Sequence, residues 1–78
     1  MTKKEYCLAN PAIAYCDALS GLEIYGVEYG VNDFLYCVSG IRGGNKSYHR
    51  LKINHDNDDD CFVRLMGCKI RMSECLRI

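Results

Sequence analysis

From residue 22 onward, apolar and polar side chains alternate with a period of two residues. Successive side chains of a β-strand point to opposite faces, so this period predicts strands and not helices. We expect five strands, over residues 22–29, 34–40, 47–53, 61–66 and 68–72. Residues 34–40 are rich in aromatic and β-branched side chains and lie between two turn-forming clusters, which makes them the expected central strand.

The alternation also divides the side chains between two faces. The expected inner face, which would pack under the N-terminal helices, holds Ile24, Leu35, Cys37, Leu51, Ile53, Cys61, Val63, Leu65, Cys68, Ile70 and Met72. The expected outer face interleaves rings with cations: Tyr25, Tyr29, Tyr36, Tyr48, Arg50, Lys52, Phe62, Arg64, Lys69 and Arg71. Burial on one face is typical of an antiparallel sheet.

The N-terminal segment has helix signals. Thr2 and Glu5 have the spacing of a capping box, which predicts a short helix to about Ala9. Asn10-Pro11 can open a second helix, because proline is tolerated at a first helical position. Its apolar stripe consists of Ile13, Cys16 and Leu19, and Ser20-Gly21 would end it.

These elements predict an α+β protein with N-terminal short helices packed on a four- or five-stranded antiparallel meander, for which a barrel-like curl stays open. We expect a single domain over residues 1–78, divided into a helical segment (1–21), an antiparallel sheet (22–72) and a C-terminal turn (73–78). The sequence does not decide whether the last two strands are separate or form one strand bent at Gly67.

Six cysteines in 78 residues raise the question of disulfides. No apolar run of signal-peptide length follows the N-terminal lysines, so we expect a cytoplasmic protein whose thiols stay reduced and fill the core. No apolar stretch approaches the length of a membrane span, so no membrane association is expected.

Net charge is zero, yet the signs are unevenly spread. Residues 5–40 carry acids and no lysine or arginine, whereas residues 41–53 carry no acid and four cations, which are Arg42, Lys46, Arg50 and Lys52. This asymmetry indicates one basic and one acidic surface.

Residues 40–47, Gly-Ile-Arg-Gly-Gly-Asn-Lys-Ser, come close to a phosphate-binding loop. Such a loop reads G-x-x-x-x-G-K-[ST] and is followed by a helix. Here Asn45 occupies the position of the second glycine, and the residues that follow alternate as in a strand. A glycine-rich hairpin loop is therefore the favoured interpretation.

Two groups of possible metal ligands have unsuitable spacing. Residues 56–60 resemble the start of a calcium loop, but Cys61 and Gly67 occupy the positions that require glycine and glutamate. Zinc sites usually contain ligands two to four residues apart, a spacing absent among His49, His55, Cys61 and Cys68. Cys37 lies in mid-strand facing inward, where a thiol is inert. We expect no metal, no cofactor and no enzymatic activity.

The outer face carries the functional prediction. Tyrosine and arginine are enriched at protein interfaces, so we expect a protein partner or a homodimer to bind this face or a sheet edge. The alternative is single-stranded nucleic acid, whose bases stack on rings and whose phosphates meet cations. The candidate binding residues are Tyr25, Tyr36, Tyr48, Arg50, Lys52, Phe62, Arg64, Lys69 and Arg71.

Three runs, over residues 9–15, 19–24 and 29–33, resemble small proteins without an assigned activity that are carried on conjugative elements of Gram-positive bacteria. The resemblance covers the first half of the chain and contains no catalytic motif. It implies a cytosolic bacterial setting and an accessory role in DNA transfer or its regulation.

Overall fold

The computed structural model describes residues 2–56 and 60–78. Its elements are helix α1 (Lys3–Ala9) and strands β1 (Ala14–Cys16), β2 (Leu22–Glu28), β3 (Phe34–Ser39), β4 (Ser47–Lys52), β5 (Asn54–His55), β6 (Cys61–Leu65), β7 (Cys68–Arg71) and β8 (Leu76–Arg77), with a 3-10 turn at Met72–Glu74. The α+β class with antiparallel pairing is confirmed. Asn57, Asp58 and Asp59 of the predicted acidic loop lie outside the described residues.

The strands form two sheets, one of five strands in the order β4-β3-β2-β1-β8 and one of three in the order β5-β6-β7. The prediction of a single meander is wrong, because the chain leaves the first sheet at Ile53, between β4 and β5, and builds a second one. Over the described residues β4 and β8 are the open edges of the larger sheet, so a barrel-like curl is not confirmed. The strands on either side of Gly67 are separate.

The main core lies between the two sheets. Leu22, Leu35 and Cys37 from the five-stranded sheet pack with Val63 and the other inner residues of the three-stranded sheet, and all four are 0–1% exposed. The predicted inner face is therefore buried as expected at its centre, but the expectation that helices cover it is wrong. The second sheet covers it, since an apolar sheet face must be buried against another layer, and the inner side of β6 and β7 forms that layer.

Residues 10–19, predicted to form a second helix, contain β1 instead. The Ile13 N–H donates to the Ile24 carbonyl at 2.7 Å, and Cys16 pairs with Leu22. A short isolated helix is marginal in water, because its first turn fixes several dihedral angles for one hydrogen bond. Pairing with β2 supplies hydrogen bonds and burial together, and it overrides the narrow helical stripe.

Helix α1 begins as predicted. The Glu5 N–H donates to Thr2 Oγ1 at 3.1 Å, the Thr2 N–H donates to Glu5 Oε1, and Cys7 is buried. The helix packs against β3 and β4 on the face of the five-stranded sheet that points away from the main core. No helix in residues 2–56 or 60–78 is long and apolar enough to span a membrane.

Candidate interaction surfaces and a cavity

The predicted aromatic–basic face is divided between the two sheets. Tyr25, Tyr36, Tyr48, Arg50 and Lys52 lie on the outer side of the five-stranded sheet. The other four candidates lie on the outer side of the three-stranded sheet: Phe62, Arg64, Lys69 and Arg71. Because the inner sides of both sheets contribute to one core, the two outer sides point away from each other. The candidates therefore do not form one continuous surface.

Two of the predicted rings are buried. Tyr36 is 3% exposed beneath α1, where its ring stacks on that of Tyr6 with 4.0 Å between centroids. Phe62 is 7% exposed, with the Arg64 guanidinium 5.3 Å and the Lys69 ammonium 4.2 Å from its centroid. Both rings were predicted on the outer face, and the structure covers them there, because the period of two residues identifies a shared face but not what covers it. Tyr25 and Tyr48 are half-buried and pack with Tyr36 in the apolar cluster beneath α1.

The Tyr36 hydroxyl joins a polar network at the rim of α1. It donates to Glu28 Oε2 at 2.5 Å and accepts from Arg50 Nε at 2.9 Å, while Arg50 Nη2 lies 3.1 Å from Glu28 Oε1. The Arg50 guanidinium also lies 3.6 Å from the centroid of the Phe34 ring. The Tyr36 hydrogen bond, followed by that from Arg50, lowers the pKa of Glu28. Arg50 is therefore partly exposed, but its guanidinium is already held by Tyr36, Glu28 and Phe34.

The cations of the three-stranded sheet are largely neutralised. Arg71 binds Asp56 at 2.8 Å and Asp60 at 2.7 Å, and Lys69 binds Asp56 at 3.3 Å. The Arg71 hydrogen bond, the largest cause, lowers the pKa of Asp56 to about 2. Arg64 has no carboxylate within ion-pair distance among residues 2–56 and 60–78. A polyanion would therefore compete with these carboxylates for two of the three cations.

An apolar strip lies at the β8 edge of the five-stranded sheet, and we call Ile13, Tyr15, Leu76 and Ile78 the β8 strip. Tyr15 pairs with both Glu23 and Leu76, and Glu23 pairs with Val38, so these residues share the face on which α1 lies. The Ile78 N–H donates to the Ile13 carbonyl. Ile13, Leu76 and Ile78 are 45%, 73% and 75% exposed.

A cavity of about 350 Å³ lies where the 40–46 loop meets the turns before β2 and after β6. Its lining consists of Leu19, Ser20, Ser39, Gly40, Gly43, Asn45, Ser47 and Met66. The phosphate-loop-like segment therefore forms a hairpin loop, as predicted, and also one wall of the cavity. Behind this wall, Ser39 Oγ lies 2.7 Å from His49 Nε2. Burial, with a smaller contribution from Lys3, lowers the pKa of His49.

Comparison with known proteins gives no relative: no family model, no curated protein and no solved structure matches the chain. Functional inference therefore rests on the geometry. Neither the β8 strip nor the Ser39–His49 pair was predicted from the sequence. The pair had a usable signal, since a hairpin with a seven-residue loop over 40–46 places residues 39 and 47 opposite each other and residue 49 diagonal to 39. The strip had none, because it depends on β1, which was predicted as helix.

Proposed function

We propose that this protein is a small non-enzymatic interaction module whose open β8 edge receives an extended strand from a protein partner. The observation that carries the proposal is the β8 strip, where three aliphatic side chains stand exposed on one face beside a strand edge that no strand in residues 2–56 and 60–78 pairs with. Strand addition of this kind combines backbone hydrogen bonds with pockets for alternate side chains.

The backbone of β8 offers one hydrogen-bonding residue to such a strand. Ile78 donates its N–H to β1, so its neighbour Arg77 directs its N–H and C=O to the open side. Leu76 and Ile78 flank Arg77 and project to the α1 side of the sheet. An added strand would therefore pair with Arg77 and place apolar side chains beside both neighbours.

The charge of Arg77 selects the partner. In an antiparallel pair of two identical β8 strands, Arg77 would lie directly opposite its own copy, and like charges in that position are destabilising. A strand with an acidic residue between two apolar residues places opposite charges across the pair. The occupant we propose is therefore an apolar–acidic–apolar segment of another protein.

The same chain supplies a stand-in for that segment, because Arg77→Glu converts β8 into an apolar–acidic–apolar strand. ¹⁵N-labelled wild-type protein is titrated with unlabelled Arg77→Glu protein, and amide shifts are followed by NMR. We expect saturable shifts around Ile13 and residues 76–78, with a Kd below about 1 mM, and at least tenfold weaker association of either protein with itself.

Leu76→Ser should weaken the mixed complex, because it removes one of the two flanking apolar contacts. Val31→Ser is the matched control, since Val31 is 102% exposed on the β2–β3 hairpin and should leave the complex unchanged. Absence of shifts in the mixed titration up to about 1 mM would overturn the proposal. If wild-type protein associated with itself as tightly as with Arg77→Glu protein, the occupant of the β8 edge would be a second copy of this chain and not another protein.

Single-stranded nucleic-acid binding through the predicted aromatic–basic residues is the second proposal. Burial of Tyr36 and Phe62 weakens its support, since neither ring is free to stack on a base. A labelled oligonucleotide titrated at low and high salt tests it, because phosphate contacts are strongest at low salt. A flat curve at low salt excludes it.

We further propose a cytoplasmic setting, which the resemblance to mobile-element proteins also implies. The supporting observation is that all six cysteines are free thiols and that three of them, Cys7, Cys16 and Cys37, are buried. Burial raises the pKa of Cys37 to about 12, so this thiol is inert and fills space in the core.

A further inference from the structure

Backbone strain in this protein is concentrated around one cavity. Among the described residues, the non-glycine residues with left-handed backbone are Leu19 (φ 52°), Ser20 (φ 61°) and Met66 (φ 52°), and all three line the cavity. They come from two turns that are distant in sequence. Left-handed backbone is costly for residues with a Cβ, and strained residues cluster at ligand-binding sites.

A buried polar side chain of the core also lines this cavity. Ser39 is the buried polar residue among the described residues, at 5% exposed, and it lines the cavity. Its hydroxyl lies 2.7 Å from His49 Nε2, and this hydrogen bond fixes the orientation of the hydroxyl. A buried polar group in an otherwise apolar core is costly unless it is hydrogen-bonded, and His49 supplies that bond, so the Ser39 hydroxyl is held beside the cavity.

The rim of the cavity offers unused hydrogen-bond donors. The Ser20 and Ser47 hydroxyls and the Asn45 side-chain amide have no hydrogen-bond partner within residues 2–56 and 60–78. Leu19 and Met66 form an apolar wall beside them. The cavity therefore combines a polar end with an apolar side, as small-molecule sites commonly do.

The charges around this end favour an anion. Among the residues that the structure describes, no acidic one lines the cavity, and the loop that forms one wall carries Arg42 and Lys46. Asp17, an acid that reaches this loop, is bound by Arg42 Nη2 at 3.0 Å. Lys46 stands between two lining residues, Asn45 and Ser47, and is exposed.

We propose that this cavity binds a small phosphate monoester, with the phosphate held by Ser20, Asn45 and Ser47 and the organic group against Leu19 and Met66. A phosphate monoester presents three acceptor oxygens and carries nearly two negative charges at neutral pH, which suits several donors beside a lysine. A volume of about 350 Å³ corresponds to roughly a dozen water-sized groups, which limits the ligand to about that many non-hydrogen atoms. This site uses none of the residues of the β8 strip.

Phenyl phosphate is a probe of suitable size, with benzoate and phenol as matched ligands that lack the phosphate or the charge. Each is titrated into ¹⁵N-labelled protein and followed by NMR. We expect saturable shifts at residues 19–20, 39–47 and 66 with phenyl phosphate, and binding at least tenfold weaker for benzoate and phenol. Equal binding of benzoate would overturn the assignment to phosphate, and equal binding of phenol would overturn anion recognition.

Asn45→Ala and Ser47→Ala change exposed side chains of the rim, so their folding can be checked by thermal unfolding before binding is measured. Each should weaken phenyl phosphate about tenfold by removing one hydrogen bond to a charged group. Ser73→Ala, at an exposed serine outside the cavity, is the matched control and should leave binding unchanged. Unchanged affinity in both rim variants, or no shift up to about 10 mM phenyl phosphate, would overturn the proposal.

Discussion

The two faces of the five-stranded sheet are made by the same strands but are buried in different ways. The inner face presents aliphatic side chains and thiols, exemplified by Leu35 and Cys37, and is covered by a second sheet. The outer face presents tyrosines and is covered over β3 and β4 by α1, while its β8 end stays open. The same sheet therefore buries its aliphatic face under a whole second sheet, and its tyrosine-bearing face only in part, under a short helix.

The tyrosines explain why the outer cover is partial. A buried phenol needs a hydrogen-bond partner, and Tyr36 finds Glu28 and Arg50, whose side chains are 51% and 39% exposed. A larger cover would place both charged groups in the interior at high cost. The inner face has few such groups, so its burial extends across both sheets.

The largest expected effect tests the inner face. Leu35 is 1% exposed between the sheets, so Leu35→Ala should lower the free energy of unfolding by about 3 kcal/mol through lost burial and an unfilled cavity. Urea unfolding followed by circular dichroism measures it. Val31→Ala, at a fully exposed position, should change stability by less than about 0.5 kcal/mol. A loss below about 1 kcal/mol for Leu35→Ala would contradict a close-packed core.

The next effect tests the helix cover of the outer face. A Cβ on Gly26, whose φ is +157°, would collide with the Tyr6 hydroxyl and lie 3.1 Å from its Cε1. Gly26→Ala should therefore cost about 2 kcal/mol by overpacking, measured by urea unfolding. Gly30→Ala is the matched control, since nothing lies within 4 Å of its added Cβ.

A double-mutant cycle sharpens this test of the cover. Tyr6→Ala removes the side chain that the new Cβ would strike, so adding Gly26→Ala to Tyr6→Ala should cost less than adding it to wild type. Equal costs in the two backgrounds would mean that α1 does not pack on β2 through Tyr6.

A smaller effect tests the hydrogen-bond network of Tyr36, Glu28 and Arg50. Tyr36→Phe removes the hydroxyl that joins Glu28 and Arg50, and it should lower the free energy of unfolding by about 1 kcal/mol. The pKa of Glu28 should rise, because the Tyr36 hydrogen bond is the largest cause of its lowering. Urea unfolding and a carboxyl NMR titration measure these changes. Tyr29→Phe, at an 80% exposed ring, should change neither quantity.

The smallest effect tests His49, whose Nε2 lies 2.7 Å from the Ser39 hydroxyl on the inner side of the sheet. Burial lowers the pKa of His49 below its usual 6.5, so the unfolded chain binds a proton more readily than the folded one. Stability should therefore fall as the pH drops from above 6.5 toward the lower pKa of the folded state. Unfolding curves across this range should show the slope in wild type, and His49→Gln should reduce it. An unchanged slope in the variant would contradict a buried, neutral imidazole.

Much of the strand pattern could be read from the sequence. The five predicted strands begin at the observed residues and end within one residue of them, because alternation and glycine-rich turns are local signals. The helix at 3–9 followed equally from its capping box. The predicted helix over 10–19 was wrong, since β1 has three residues and gains its stability from β2. Such pairing has no local signature.

The candidate sites also combine features that the local sequence predicts with features that depend on long-range contacts. The 40–46 hairpin loop was predicted, but a cavity behind it requires Leu19, Ser20 and Met66 to arrive from other turns. The nine predicted binding residues were selected by side-chain alternation alone. Their division between two sheets depends on the chain bending at Ile53, which alternation does not register.

By itself, the sequence determined five of the strands, the start of α1 and the alternation of side chains along each of those strands, because these depend on backbone geometry within a few residues. The tertiary structure decided that a second sheet covers the aliphatic face, that α1 covers Tyr36, and that β8 leaves an apolar edge open. These outcomes depend on which surfaces bury the most apolar area while every buried polar group keeps a partner. Both conditions involve contacts between residues distant in sequence, so they depend on the fold of the whole chain.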